Sequence, residues 1–379
     1  MERSAIYSKY KDINGESNDW DFNGEETQRH MHTIHPYPAK MIPQIPDKAM
    51  MMWSKEGETI LDPFSGCGTT LLEAIINKRN AIGIDNNPVA CLITECKIKK
   101  YTEDEIKEIK NYYDDFDNII NSKELIPRIP IYKNMEYWFA KEAIQELGTI
   151  KASMDCLSDD VRKIALCCLS AIIVRISYQE SDTKYSRKEY EYIEKTAIKA
   201  FKSKLRAVID SIEEINEEKT GKAVIIHGDG RENSGIENES VDLIVTSPPY
   251  LNAYDYHKYH RHRMQWIDGN VEFARDNEIG KHDTFTRKGA TPEKYFKDMN
   301  ACFCEWKRVM KKQAKCVIVV GDAIVNGKPV AVGDEFVEML EELELKCIQR
   351  SIRNLDVNKK SFNQKSRINK EHVLVFEKQ

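Results

Sequence analysis

The sequence predicts an open, mostly parallel, doubly wound α/β sheet of seven strands carrying one helical insertion. Three observations support this. Short apolar runs bounded by turn residues recur along the chain, amphipathic helical stretches alternate with them, and residues 101–221 break the alternation with almost continuous helical patterning. The chain has 379 residues, 41% apolar and 31% charged, enough for one large domain or two.

The strands are expected at TILDPF (59–64), AIGID (81–85), AVIIHGD (223–229), VDLIVTSPP (241–249) and CVIVVGD (316–322). LELKCIQRSI (343–352) and HVLVFEK (372–378) alternate more and are expected to close the sheet as a hairpin. Helices are expected at 69–79, 88–100, 292–312 and 332–343, with Lys311 and Lys312 closing the third of these. Residues 1–100 and 222–379 then form the main domain. Residues 101–221, too long for a loop, form an insertion between the second and third strands.

Net charge is −5, which excludes a polybasic coat but leaves room for local basic patches. No apolar run approaches a membrane span, and the first twenty residues lack the apolar core of a secretory signal, so a cytoplasmic protein is expected. None of the ten cysteines forms a C-x-x-C pair; they read as reduced core thiols, and no metal site is expected.

Two motifs carry chemistry. The first is strand, glycine turn and helix in ILDPFSGCGTTLLEA, with Gly66 and Gly68 at the turn. The third glycine of a dinucleotide fingerprint is replaced by Leu71, and Asp62 sits where a pyrophosphate would be repelled. The next strand ends in Asp85, placed to accept hydrogen bonds from a ribose diol. A ligand with a ribose, an ammonium group and no phosphate is S-adenosyl-L-methionine, favoured here over a dinucleotide. The second motif, Thr246-Ser247-Pro248-Pro249-Tyr250, ends a buried strand stiffly. A serine hydroxyl, a Pro248 carbonyl outside the ladder and an aromatic face suit methylation of an exocyclic amine on a flipped base.

Together DPFSGCGTT (62–70), GIDNNP (83–88), GDGRE (228–232), TSPPY (246–250) and HPYPAK (35–40) resemble the amino-directed DNA methyltransferases, which make N4-methylcytosine or N6-methyladenine, often in restriction–modification systems. The resemblance implies a Rossmann-like methyltransferase sheet with double-stranded DNA as substrate and a cognate restriction endonuclease as partner. It implies that Asp62, Gly66 and Gly68 hold the methionine part of the cofactor, that Asp85 holds the ribose, that Asp229 approaches the adenine, and that Phe64, Thr69 and Asn86 also bind the cofactor. His35 and Lys40 would lie near the cofactor tail, and Ser247, Pro248, Pro249 and Tyr250 would receive the base. Serine before the prolines goes more often with cytosine N4 than with adenine N6 in this family. The chain departs from several branches in placing its cofactor motifs before the proline motif, and its insertion precedes GDGRE.

Residues 251–291 are read as a DNA-contacting loop, its cations His257, Lys258, His260, Arg261 and Arg263 meeting phosphates. The basic stretch 357–370 reads equally as linker or phosphate clamp, and 101–221 as a region that could recognise DNA. An RNA base methyltransferase and a non-catalytic DNA-binding subunit are the alternatives.

Overall fold

The computed structural model describes residues 20–232, 235–287, 289–354 and 370–379. The expected seven-stranded sheet is present: β1 (Thr59–Asp62), β2 (Asn80–Asp85), β3 (Ala223–His227), β4 (Val241–Thr246), β5 (Met310–Val320), β6 (Leu345–Asn354) and β7 (Lys370–Lys378), in the order β6-β7-β5-β4-β1-β2-β3. β7 runs antiparallel to both its neighbours, and the other pairings are parallel.

This order places the chemistry. The chain builds β1, β2 and β3 outward, then returns to lay β4 against the other side of β1, pairing Ile60 with Leu243 and Leu61 with Ile244. The strand order reverses there, and a crevice opens beyond the carboxyl ends of β1 and β4, where open α/β sheets bind ligands. The glycine turn leaves β1 and the serine–proline corner leaves β4, so the two motifs sit side by side.

Helices α1 (Gln44–Trp53) and α2 (Thr69–Ile76) cover one face, burying Ile45, Leu71 and Ala74 against Leu243, Val245 and Val317. Helices α8 (Glu293–Val309) and α9 (Val332–Glu342) cover the other, around Phe303, Trp306 and Phe336. Helix α3 (Pro88–Ile98) follows β2, its Asn87 cap accepting from the Val89 amide.

The insertion consists of α4 (Glu103–Ile120), α5 (Lys141–Ser153), α6 (Asp159–Ile176) and α7 (Thr196–Ile215), with shorter helical turns between them. A capping box from Thr102 and Glu105 starts α4, which buries Ile109, Tyr112 and Phe116 on one stripe. These helices share one apolar cluster with Ile75 of α2 and with Val89 and Ile93 of α3, so the insertion is anchored to the sheet's helical layer.

The structure departs from the sequence reading in several places. A β-hairpin (Gln179–Ser181 with Lys184–Arg187) interrupts the insertion, too short and polar to show a strand period. Lys311 and Lys312 lie in β5 instead of ending a helix, because α8 stops at Val309 and the strand bulges between the Val241–Met310 and Leu243–Lys315 pairings. Lys311 is held by Asp242, Nζ to Oδ1 2.6 Å. Finally, all ten cysteines are unpaired, but Cys156 and Cys304 are exposed and not core thiols.

Candidate active site

A cavity of about 1640 Å³ occupies the crevice between the β1 and β4 tips. Small-molecule sites run roughly 300–1000 Å³, so this one has room for a nucleoside cofactor and a second heterocycle.

Its first wall is the glycine turn. Gly66 (φ 51°) and Gly68 (φ 75°) are left-handed, and a Cβ on Gly68 would stand 2.7 Å from the Thr94 side chain. Leu71, in the position of the missing third glycine, is fully buried. The close helix–strand approach is supplied instead by Gly83 on β2, where a Cβ would lie 2.9 Å from Leu71 Cδ2. Ser65 Oγ in this turn is buried with no hydrogen-bond partner among the described residues, and Thr69 opens α2 at the cavity edge. The Phe64 ring lines the cavity and meets Trp306 edge-on at 6.2 Å.

Asp62 is almost wholly buried and accepts three hydrogen bonds: Thr70 Oγ1 and Thr246 Oγ1, each at 2.7 Å, and the Phe64 amide at 3.2 Å. Of about four acceptor sites on a carboxylate, one is left for an ammonium group. Burial pushes its pKa up to about 6 against those hydrogen bonds. Asp85 accepts from the Gly66 and Asn87 amides, both at 2.8 Å, and keeps about two acceptor sites for a diol. Burial raises its pKa to about 7. Asn86 lines the same wall, its carbonyl meeting His227 Nε2 at 3.1 Å.

These two carboxyls give a pH prediction. In the empty protein both hold protons that the unfolded chain releases near 3.8, so together they weaken the fold as pH rises from there to about 7. A ligand donating hydrogen bonds favours the ionised forms. Its affinity is therefore expected to rise with pH through about 6 to 7 with proton release, and Asp85→Asn should bind more weakly and lose the upper part of that dependence. Calorimetric titration with S-adenosylmethionine in buffers of different ionisation enthalpy measures both; a pH-independent affinity in the native protein would reject the assignment.

The second wall is the proline corner, with Ser247, Pro248, Pro249 and Tyr250 all lining the cavity. Tyr295 Oη donates to the Pro249 carbonyl (2.9 Å), while among the described residues no donor reaches the Pro248 carbonyl. Tyr250 Oη donates to Glu371 Oε1 at 2.8 Å and lies 3.4 Å from Ser247 Oγ.

Several expected roles change. His35 does not line the cavity; its ring is buried between the Pro36 carbonyl (2.7 Å) and Ser170 Oγ (3.0 Å), tying the N-terminal segment to α6. Lys40 does line it, with Nζ on the His32 carbonyl at 2.8 Å and its pKa lowered by burial. Asp229 lies at the cavity edge, with both its oxygens held by Arg231 Nε at 2.9 and 3.0 Å.

The cations of 251–291 are also largely spent internally. The segment is a series of short helices, Tyr256–Tyr259, Arg261–Trp266, Val271–Asn277 and His282–Phe285. His260 and Arg263 are fully buried, His260 stacked on Tyr37 at 4.8 Å and Arg263 bonded to Asp182 and to the Ser170 carbonyl. His257 Nδ1 meets Glu278 at 2.5 Å, and Lys258 is paired with Asp255 and Asp283. His262 sits among Trp138, Phe139 and Tyr185, its pKa pushed down to about 3 by burial. Arg261 is exposed with no carboxylate partner among the described residues, so it is the cation of the five still open to phosphate. Residues 357–369 of the second basic stretch lie outside the described residues.

The sequence reading missed several cavity residues. Tyr37 and Tyr256, ring centroids 6.2 Å apart, line the cofactor side together with Glu278. Thr183 and Lys184 bring the insertion's hairpin to the mouth, and Arg353 and Glu371 form the wall behind Tyr250. Tyr37 lies inside the HPYPAK motif and Tyr256 inside the aromatic run after the proline motif, so both were open to detection; the others have no local signature.

The residues present fit a nucleoside carrying an ammonium and no phosphate: Asp85 with acceptor sites to spare for a diol, a Ser65 hydroxyl unpartnered among the described residues, and a carboxylate at the turn where a phosphate would be repelled.

A family model described as DNA methylase (N6/N4 methyltransferase) matches residues 2–95. The chain is 25% identical to the type II methyltransferase M.MjaII of Methanocaldococcus jannaschii, over 80% of this chain and 75% of that protein. It is 23% identical to the type II methyltransferase M.MvaI of Kocuria varians, over 69% of this chain and 63% of that one, just under two thirds of its length. A solved structure of a TehB-like SAM-dependent methyltransferase from Corynebacterium glutamicum aligns over 88% of this chain and 87% of its own, at 12% identity and a TM-score of 0.33.

Proposed function

From a chain that belongs to the amino-directed methyltransferase family, we propose a site-specific DNA methyltransferase of a restriction–modification system, acting on the exocyclic amine of a flipped base, cytosine N4 in preference to adenine N6. The observation that carries this is the adjacency of the β1 and β4 tips, which sets the glycine turn and the serine–proline corner on one cavity. The preference for cytosine rests on Ser247. A cognate endonuclease is the expected partner, and no helix among the described residues is long and apolar enough to cross a membrane.

S-Adenosyl-L-methionine, when bound, supplies an electrophilic methyl group on its sulfonium. Asp85 accepts the ribose hydroxyls, Asp62 keeps one acceptor site toward the ammonium, and the glycine turn lets backbone approach closely. At the opposite wall the Ser247 hydroxyl and the Pro248 carbonyl accept the two N–H bonds of the target amine. That amine is a poor nucleophile because its lone pair is delocalised into the ring. Two acceptors below the ring plane favour a pyramidal nitrogen, direct its lone pair into the cavity and stabilise the positive charge that grows as the new bond forms. Tyr250 offers an aromatic face beside them. Extruding the base costs a few kcal/mol, recovered from contacts inside the cavity.

Incubating the protein with methyl-labelled cofactor and, in parallel, unmethylated duplex DNA or RNA is expected to label the DNA, and digestion to nucleosides should place the label on N4-methyl-2′-deoxycytidine. Label on N6-methyl-2′-deoxyadenosine would overturn the base preference; label on RNA alone, or on neither polymer, would overturn the whole reading.

A further inference from the structure

The wall behind the proline corner holds a chain of polar groups with a fixed direction. Ser247 Oγ lies 3.4 Å from Tyr250 Oη, Tyr250 Oη donates to Glu371 Oε1 at 2.8 Å, and Arg353 Nη1 donates to Glu371 Oε2 at 2.6 Å. Arg353 is itself anchored through Nε to the Trp20 carbonyl at 3.0 Å. Ser247, Tyr250, Glu371 and Arg353 all line the catalytic cavity, and the side chains of Glu371 and Arg353 are only 11% and 12% exposed.

We propose that Glu371, paired to Arg353, is a positioning residue that acts through Tyr250 to keep Ser247 turned as a hydrogen-bond acceptor toward the substrate amine. This rests on the amine-methylation reading above and specifies how its serine is oriented.

The argument is one of hydrogen polarity. Arginine has donors only, and an ionised carboxylate has acceptors only. Glu371 can therefore only receive the Tyr250 proton. Tyr250 Oη, having donated its one hydrogen, meets Ser247 with a lone pair and receives the serine hydrogen. Ser247 is left with its lone pairs toward the cavity, the orientation an amine N–H requires. A serine free to rotate would point its hydrogen at that N–H in part of the population and repel it. Burial first, and the Glu371 charge second, hold the Tyr250 phenol well above its ordinary pKa, so it remains a neutral donor. The 3.4 Å link is longer than a strong O–H···O bond; catalytic hydrogen bonds often run long before substrate arrives and tighten in the complex.

Glu371→Gln tests this sharply. Arg353 will claim the amide oxygen, leaving the NH₂ group facing Tyr250. That reverses the chain: the tyrosine accepts from the amide, donates to Ser247, and turns the serine hydrogen toward the substrate. Glu371→Gln is therefore expected to lower kcat about 10- to 100-fold, with the dissociation constant of radiolabelled S-adenosylmethionine unchanged. Tyr250→Phe keeps the ring and breaks the chain, so adding Glu371→Gln to Tyr250→Phe should produce no further loss in kcat. Methyl transfer to unmethylated genomic DNA reads all four proteins, and a thermal melt reports any loss of the Arg353 pair separately. A Glu371→Gln enzyme with native kcat would overturn the proposal, as would an equal loss in the Tyr250→Phe background, which would mark Glu371 as structural. A native enzyme that methylates no DNA would overturn the amine-methylation reading itself and this inference with it.

Discussion

Ser247→Ala is expected to cut kcat on DNA by about 10²- to 10³-fold, the size of effect seen when one preorganised hydrogen bond to developing charge is removed. Cofactor affinity should stay within about twofold, because Ser247 belongs to the β4 wall of the cavity and the cofactor groups to the β1 and β2 tips. Stability should change by less than about 0.5 kcal/mol, since the hydroxyl's link within the protein is the long 3.4 Å contact to Tyr250. A residue whose loss abolishes turnover while sparing both fold and cofactor is the signature of a group that acts on the substrate. Methylation with saturating cofactor, a binding titration of radiolabelled S-adenosylmethionine and a thermal melt give the three quantities. A kcat within threefold of native would mean that the amine is held elsewhere.

Arg263→Ala is expected to cost about 3 kcal/mol of stability and to leave the salt dependence of DNA binding unchanged. The side chain is wholly buried, donates through Nε to the Ser170 carbonyl at 3.0 Å and is paired with Asp182. Truncation removes the second donor on that helical carbonyl, leaves Asp182 without its partner and opens a void beside His260; the partly exposed Asp182 can turn to water, which keeps the cost below that of a fully buried pair. Arg261→Ala makes the contrast: no detectable change in melting, but a slope of log affinity against log salt shallower by about one if the residue neutralises a phosphate. Chemical denaturation and binding titrations between about 50 and 200 mM salt separate the two. A reduced slope for Arg263→Ala would return the buried arginine to the DNA interface.

The contrast between Arg261 and Arg263 shows where sequence reading stops. Adjacent strands and glycine turns are local: apolar runs, a positive-φ glycine and a proline pair are written in consecutive residues, so the sheet and the Asp62, Gly68, Asp85 and Ser247 positions were legible. A basic, aromatic run such as YHKYHRHR looks the same whether its cations face water or carboxylates. What decides it is where four carboxylates fall: Asp182 arrives from the insertion, Glu278 and Asp283 fold back from later in the same segment, and Asp255 sits three residues before Lys258; the run's own composition does not show which cations they take. The same holds for Glu371 and Arg353, which reach the serine–proline corner from the last two strands only once the sheet has closed. The third glycine is a milder case. Its absence at Leu71 argued against a dinucleotide, but the space it normally provides was transferred to Gly83 on the facing strand.

The two threonines on Asp62 carry a consequence for engineering. Thr70 belongs to the donor half of the site and Thr246 to the acceptor half, and a single carboxylate stitches them together at 2.7 Å on each side. Swapping only one half with a relative would leave a seam with an unmatched acid in its middle. Chimaeras that exchange base specificity by replacing the corner after β4 must therefore carry the threonine preceding Ser247, or import a replacement hydroxyl, to remain assembled.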